Sequence, residues 1–298
     1  MDLSGTGVPT LNQVADLHLH STASDGILAP ADVVRRARDV GLAAMALTDH
    51  DTIAGVAEAL EEGTRLGVEV IGGCEFSVKA AWGEMHLLGY FLPVGDSELE
   101  TFLTTAREQR VVRARRMIES LQAWGVDIQM EDVLAEAGNA ALGRPHVARA
   151  LVRRGKVPDV PAAFDEFLGL GRRAYVEKVL PTLQEVADLV HRVGGLVSAA
   201  HLREKANRSV LTLLKEEGLD AVEVHHPSHS PDVVKTIDLA AEELGLTRTG
   251  GSDWHGDGSA DDYGYIGTRS VPLSWLDRLR ESRPGLSTPP AEEPSGAS

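Results

Sequence analysis

The chain has 298 residues, 43% of them apolar, and a formal net charge of −16 at pH 7. That length and apolar content allow one large α/β domain, or a core carrying a smaller one. The acidity excludes a general nucleic-acid coat and stable duplex DNA binding, no apolar run reaches membrane length, and one cysteine excludes an intrachain disulfide or thiolate zinc site.

Residues 1–13 read as a polar, disordered lead-in without a secretory signature, so a cytoplasmic location is expected. Residues 14–20 read as a strand. Strict alternation sends Leu17 and Leu19 to one face, and Asp16, His18 and His20 to the other. Neutral imidazole is the commonest metal ligand, and a His-x-His pair offers two ligands to one ion. A helix over 30–40 is capped by Gly41, and a strand over 42–47 leads into Thr48-Asp49-His50-Asp51. A helix over 52–66 stops at Gly67. A third strand starts at 68–71 and passes through Gly72-Gly73 to Cys74-Glu75-Phe76. A fourth, over 85–92, carries His86 near its start. Strands alternating with helices predict a largely parallel sheet with right-handed crossovers.

The rhythm breaks at Pro93. From residue 98 to 175 the pattern is helical, which predicts an inserted subdomain in a barrel built from 14–97 and 176–283. Residues 100–175 hold 12 basic and 10 acidic side chains against 17 and 35 elsewhere, so the middle is compositionally distinct. Arg107, Arg110, Arg113, Arg115 and Arg116 go around a helix in 100° steps, which reads as a solvated, salt-bridged surface rather than an RNA track. The β/α rhythm resumes with helices over 183–193, 209–217 and 231–244. Strands over 196–200, 219–224 and 246–249 end in His201, in His225-His226-Pro227-Ser228-His229 and in Gly250-Gly251-Ser252-Asp253-Trp254-His255. Residues 266–271 close the set, and 284–298 read as a disordered tail.

Six or seven strands, with no glycine-rich dinucleotide fingerprint, favour a β/α barrel over an open doubly wound sheet. His18, His20, His50, Glu75, His201, His225, Asp253 and His255 fall at predicted strand ends, the rim where barrel catalytic groups converge. The candidate metal ligands are His18, His20, Asp25, His50, Glu75, His86, His201, Asp253 and His255. Imidazole mixed with carboxylate suits Mn²⁺, Zn²⁺ or Fe²⁺ rather than the all-oxygen preferences of Ca²⁺ or Mg²⁺. Nine ligands exceed the needs of one ion and suffice for two or three if a carboxylate bridges. Such clusters clamp the attacking and leaving oxygens of a phosphoryl group. Asp16, Asp49 and Asp51 are read equally as orienters of imidazoles or as loop and cap residues. Cys74 faces away from Glu75 by alternation and is read as buried apolar.

Together the pieces His18-Leu-His20, Ser24-Asp25-Gly26, Thr48-Asp49-His50-Asp51, Glu75, His86, His201 and Gly251-Ser252-Asp253-Trp254-His255 resemble the PHP (polymerase and histidinol phosphatase) family. They span roughly residues 14 to 272. The resemblance implies a distorted (β/α)₇ barrel with three metal ions at the strand C-termini. One ion would take His18, His20, Glu75 and Asp253. A second would share Glu75 and add His86 and His201, and a third would take Asp25, His50 and His255. Mn²⁺ is the first choice, with Zn²⁺ or Fe²⁺ as alternatives. The insert, Arg144-Pro145-His146 and His226-Pro227-Ser228-His229 narrow the resemblance to nucleoside 3′,5′-bisphosphate phosphatases and enzymes trimming short RNA from its 5′ end.

That subgroup implies an insert covering the site, with Arg144, His146, His226 and His229 as substrate-binding candidates. It also implies catalysis by Glu75, Asp253, His226 and His229 through a metal-bridging hydroxide. The expected activity is removal of the 3′-phosphate from a nucleoside 3′,5′-bisphosphate. The alternatives are a 5′→3′ exonuclease on short 5′-phosphorylated RNA or DNA, a histidinol-phosphate phosphatase, and a non-catalytic metal-binding module.

Overall fold

The computed structural model describes residues 13–138, 141–256 and 264–283. The expected lead-in up to residue 12 and the expected tail from residue 284 lie outside the described residues. The first half of the core comprises β1 (Val14–Leu19), α1 (Pro30–Asp39), β2 (Ala44–Leu47), α2 (Val56–Leu66), β3 (Glu69–Ala80) and β4 (Gly83–Tyr90). Helices α3 (Ser97–Ala123), α4 (Met130–Ala137), α5 (Arg144–Arg153) and α6 (Val160–Ala163) follow, the last running into a π-helical turn at Phe164–Leu168. Then come α7 (Leu183–Arg192), β5 (Leu196–Ala199), α8 (Arg208–Glu216), β6 (Ala221–His225), α9 (Pro231–Leu244) and β7 (Thr247–Gly250). The two-residue β8 (Val271–Pro272) leads directly into α10 (Leu273–Glu281).

These strands form one sheet in the order β7-β6-β5-β4-β3-β2-β1-β8. It closes almost into a barrel, because the chain beyond β7 returns to β1. There Asp253 N–H donates to the His18 carbonyl at 2.9 Å, and His20 N–H donates to the Trp254 carbonyl at 3.1 Å. Gly251 is required at this seam, since a Cβ there would sit 2.5 Å from His18 N.

The sheet is mixed rather than largely parallel. Pairs β3–β4, β4–β5 and β1–β8 are antiparallel, and the other four are parallel. Ala81 and Trp82 alone separate the paired residues Ala80 and Gly83, a connection that only an antiparallel hairpin can use. Reversing β4 puts its first residues at the rim where the neighbouring strands end, and this brings His86 there. β3 also continues unbroken through Gly72-Gly73, so Glu75 lies within a strand and not at its end.

Strand β1 departs from strict alternation. Its register with β2 shifts between Asp16 and Leu19. Leu17 packs with Ala15, Ala44, Ala46, Leu88 and Tyr90 inside the sheet, over Leu276 and Leu279 of α10. Leu19 packs outside, with Met45 and Leu47 against Val33, Val34 and Ala59 of α1 and α2. The extra residue that a bulge inserts lets His18 and His20 both reach the barrel mouth while their leucine neighbours part.

Helices α3 to α6 enclose their own apolar cluster, including Met117, Leu121, Val133, Val147, Leu151 and Phe167. Helix α3 spans both cores, because Leu99 and Leu103 from its first turns pack with the barrel cluster instead. Asp96 caps that helix, accepting from the Glu98 and Leu99 amides.

Asp16, fully buried, joins the two edges of the barrel. Its carboxylate accepts the Ser252 and Gly267 amides at 2.9 and 2.8 Å and the His18 amide at 3.3 Å. Asp16→Ala strands these buried donors and should cost about 2–4 kcal/mol, read as a lower urea midpoint with an unchanged slope.

Candidate active site

All nine predicted ligands converge at one end of the barrel, and the Glu75 carboxylate is their hub. Its Oε2 lies 3.3, 3.2 and 3.1 Å from His18 Nε2, His20 Nε2 and His50 Nδ1. Its Oε1 lies 2.7 Å from His86 Nδ1 and 3.0 Å from His201 Nε2. Asp253 Oδ1 completes the deepest group, at 3.2 and 3.1 Å from the same two nitrogens of His18 and His20. Asp25, half-exposed, reaches His255 Nε2 at 3.4 Å and His50 Nε2 at 3.7 Å. His225 does not join them, because its ring packs 5.3 Å from Trp275 instead.

The donors are fit for cations. His18 Nε2, both ring nitrogens of His20 and Glu75 Oε2 are buried without a hydrogen-bond partner. They approach one another closely without hydrogen-bond alignment. Buried polar atoms are rarely left so, since each costs about 1–3 kcal/mol unless a partner is supplied. Imidazole nitrogens and carboxylate oxygens aimed at common points are the donor set expected of a divalent transition ion.

A further carboxylate, missed in the sequence, holds this arrangement. Glu223 Oε1 is 3.0 Å from His18 Nδ1, and its Oε2 accepts the His201 amide at 2.7 Å. The available signal was an acid at an inward position of the otherwise apolar run Ala221-Val222-Glu223-Val224. His226 Nε2 lies 3.2 Å from Asp253 Oδ2, with Nδ1 2.7 Å from Ser228 Oγ. Asp49 touches no imidazole. It accepts from Ser21 N–H, Ser21 O–H and Ser24 O–H at 2.6–2.7 Å, which shapes the loop carrying Asp25. Three site residues other than glycine adopt positive φ: His201 (+31°), Asp253 (+51°) and Asp51 (+48°). Such conformations cost about 1–3 kcal/mol each and persist only when their surroundings impose them.

The remaining candidates divide. His229 is committed to the backbone, with Nδ1 3.0 Å from the Val224 carbonyl and Nε2 accepting Arg203 N–H at 3.2 Å. It therefore has no ring nitrogen left for the proton-donor or phosphate role expected of it. His146 Nδ1 accepts the Gly143 amide at 3.0 Å at the start of α5. Arg144 lies over the Phe164 and Tyr175 rings at 5.6 and 5.7 Å. The arginine run is not simply a solvated surface. Arg110 pairs with buried Asp51, its Nε at 2.9 Å, Arg107 donates to Thr52 Oγ1 at 3.2 Å, and Arg113 donates to the Val176 carbonyl at 2.8 Å. Asp51 is buried beneath α3, and its charge draws Arg110 inward.

Arg110, Arg113 and Lys178 line one end of a cavity of about 970 Å³ between α3 and α7. Lys178 donates to Ser77 Oγ at 2.9 Å and pairs with Glu84. Burial lowers the pKa of Lys178, and the Arg110 charge lowers it further. Burial, then Arg144, does the same to Arg113. Asp51 answers Arg110 and Glu84 answers Lys178, so the cluster's positive charge is partly balanced within the chain. Lys178 was missed because it precedes α7 in a stretch without periodicity.

The carboxylates dominate the site's electrostatics. Burial depresses the His20 pKa, but Asp253 and Glu75 outweigh it and hold it at about 10. Burial likewise opposes His86, and Glu75 followed by Glu84 raises it to about 9. His50 goes the other way, to about 4, because burial there is only partly offset by Glu75 and Asp25.

The PHP domain family matches residues 16–234. The chain belongs to the PHP family. Among its PHP relatives, the 3′,5′-nucleoside bisphosphate phosphatase of Chromobacterium violaceum is 34% identical over 83% of this chain and 89% of its own. The 5′-3′ exoribonuclease Rnm of Salmonella typhimurium is 32% identical over 81% of this chain and 85% of its own. A crystal structure from Bifidobacterium adolescentis, assigned as a metal-dependent phosphoesterase, superposes with a TM-score of 0.76 at 28% identity. That match covers 90% of this chain and 96% of the other. The PHP barrel seen here is accordingly that of a hydrolase of the metal-dependent phosphoesterase class. Among the described residues no helix is long and apolar enough to cross a membrane.

The raised imidazole pKa values generate a pH prediction. Without metal, protonated His20 and His86 balance the carboxylates. That stabilisation is complete below the unfolded histidine pKa near 6.5 and is lost as pH rises through about 9 to 10. His18 is held protonated in the same way by Asp253, Glu223 and Glu75, against its burial, so Mn²⁺ added at pH 7.5 should displace about two to three protons per chain, read with an indicator dye. Apparent affinity should climb with pH and level off above about 9–10, whereas a pH-independent affinity would contradict this account.

Proposed function

We propose that the chain is a cytoplasmic, metal-dependent phosphatase that removes the 3′-phosphate from nucleoside 3′,5′-bisphosphates. The carrying observation is the Glu75 hub, with its unpartnered buried donors, placed beside a cavity whose cations are gathered at the hub end. In this reading His18, His20, Glu75 and Asp253 hold one Mn²⁺. Glu75, His86 and His201 hold a second, and Asp25, His50 and His255 a third. Bound there, the ions supply Lewis acidity and an acidified water.

The chain's own groups do the rest. Arg113, with Arg110 and Lys178 beside it, takes the 5′-phosphate, and the 3′-phosphate goes to the hub. Arg144 and His146 meet the substrate from the insert side. His226 fixes the Asp253 carboxylate that faces His18 and His20. Phe102, Ala106, Leu180 and Leu189 line the cavity beyond the cations and give the nucleoside an apolar wall.

Charge along the cavity favours a single nucleotide over a strand. Its far end carries Glu98, Glu185 and Asp188 against Arg192 alone, which would repel a phosphate backbone continuing along α3. Histidinol phosphate fits poorly, because its ammonium would meet Lys178 and Arg113. A non-catalytic module has no need of a complete, unpartnered donor set.

Adenosine 3′,5′-bisphosphate (pAp) with Mn²⁺ should yield phosphate and 5′-AMP, identified by chromatography. Asp253→Asn should lower the rate by more than about a hundredfold. Lys178→Ala should act mainly through KM, by about tenfold or more. No phosphate release by folded, metal-loaded protein would overturn the proposal.

A further inference from the structure

Strand β6 carries a fully buried acid, Glu223, that is not one of the nine donors. Val222 and Val224 pack outward against the helices and Ala221 packs inside the sheet, so alternation turns Glu223 into the barrel. Burying a carboxylate is costly, and glutamine has the same shape without the charge. The two donors that Glu223 meets explain why an acid stands there.

Glu223 Oε1 lies 3.0 Å from His18 Nδ1, and Oε2 accepts the His201 amide at 2.7 Å. His18 Nε2 faces Glu75 Oε2 and Asp253 Oδ1 at 3.3 and 3.2 Å. An ion held by Nε2 and these oxygens leaves the imidazole proton on Nδ1, where Glu223 receives it. A glutamine at this position has one acceptor for two donors. With its oxygen on His18 Nδ1–H, its NH₂ meets the His201 N–H, donor against donor. Turned over, it satisfies His201 but donates to Nδ1, which moves the imidazole proton to Nε2, where the ion belongs. Only a carboxylate meets both demands.

The two donors serve different ions. His18 stands with His20 and Asp253 on Glu75 Oε2, whereas His201 stands with His86 on Glu75 Oε1. His201 also has a φ of +31°, a backbone state that its surroundings must impose, and Glu223 grips its own N–H. Asp25 and His255 are held by other groups. Ser24 Oγ donates to Asp25 at 3.2 Å, and His255 Nδ1 lies 2.9 Å from the Asp253 carbonyl.

We propose, building on the ion assignment above, that Glu223 is a positioning residue that couples two of the three ion sites. One carboxylate fixes the His18 tautomer for the first ion and the His201 backbone for the second, and leaves the third independent.

The test reads metal binding rather than turnover. Free Mn²⁺ is followed by EPR as wild type and Glu223→Gln are titrated at the same pH, with circular dichroism checking that the variant is folded. Wild type should bind three ions. Glu223→Gln should weaken two of them together, by about tenfold to a hundredfold, and change the third less than about twofold. In Zn²⁺-loaded wild type, long-range ¹⁵N–¹H spectra should show the His18 proton on Nδ1, a measurement that needs no variant. Unchanged Mn²⁺ affinity in folded Glu223→Gln, a loss confined to one ion or shared equally by all three, or a proton on His18 Nε2 overturns the coupling alone. Folded wild type that binds no Mn²⁺ overturns the ion assignment and the coupling together.

Discussion

One carboxylate, buried to 1% exposure among five imidazoles, governs this molecule. Placing Glu75 there as an anion would cost several kcal/mol if nothing answered its charge. Two answers are open to the chain: protonated histidines, or cations held in their place. The histidine pKa values near 9 and 10 describe the first, and the unpartnered nitrogens describe readiness for the second. Metal loading would therefore exchange protons for ions around a fixed anion.

Much of the fold serves to bring donors to that anion from different directions. Parallel strands deliver His18, His20, His50 and His201, each beyond a strand's C-terminal end or at a bulge. The reversed strand β4 delivers His86 from the other direction. Acids that touch no predicted ion then hold the backbone: Asp16 at the seam, Asp49 under the Asp25 loop, and Glu223 across His18 and the His201 amide. Positive φ at His201, Asp253 and Asp51 marks where this delivery is strained. Hydrogen bonds of the surrounding loops must offset that strain, so the buried acids of the second ring are as much a part of the site as the donors.

How legible each part was depended on the kind of information it carries. His18-Leu-His20 and the Gly251-to-His255 run announce themselves, because closely spaced donors after apolar strands have few other uses. Helix boundaries such as those of α9, and the break at Pro93, follow from caps and periodicity. Strand direction is different. Residues 85–92 read equally well in either orientation, and only the short Ala81-Trp82 connection shows that β4 runs backwards. The β1 bulge was invisible, since one inserted residue leaves composition and spacing unchanged. Glu223, Arg110 and Lys178 were hidden for a related reason. Their roles depend on partners 205, 59 and 101 residues away, at His18, Asp51 and Ser77.

The formal charge of −16 conceals a local order that matters more than the total. The carboxylates of Asp25, Glu75 and Asp253 are matched by imidazoles or by ions, so they do not repel an approaching phosphate as bare anions would. The nearly balanced middle segment contributes Arg110 and Arg113, and Lys178 follows it, so positive charge gathers where the large cavity meets the hub. Negative charge at the cavity's far end points the other way. A ligand with phosphate at its leading end and an uncharged body is oriented by this gradient before any specific contact forms.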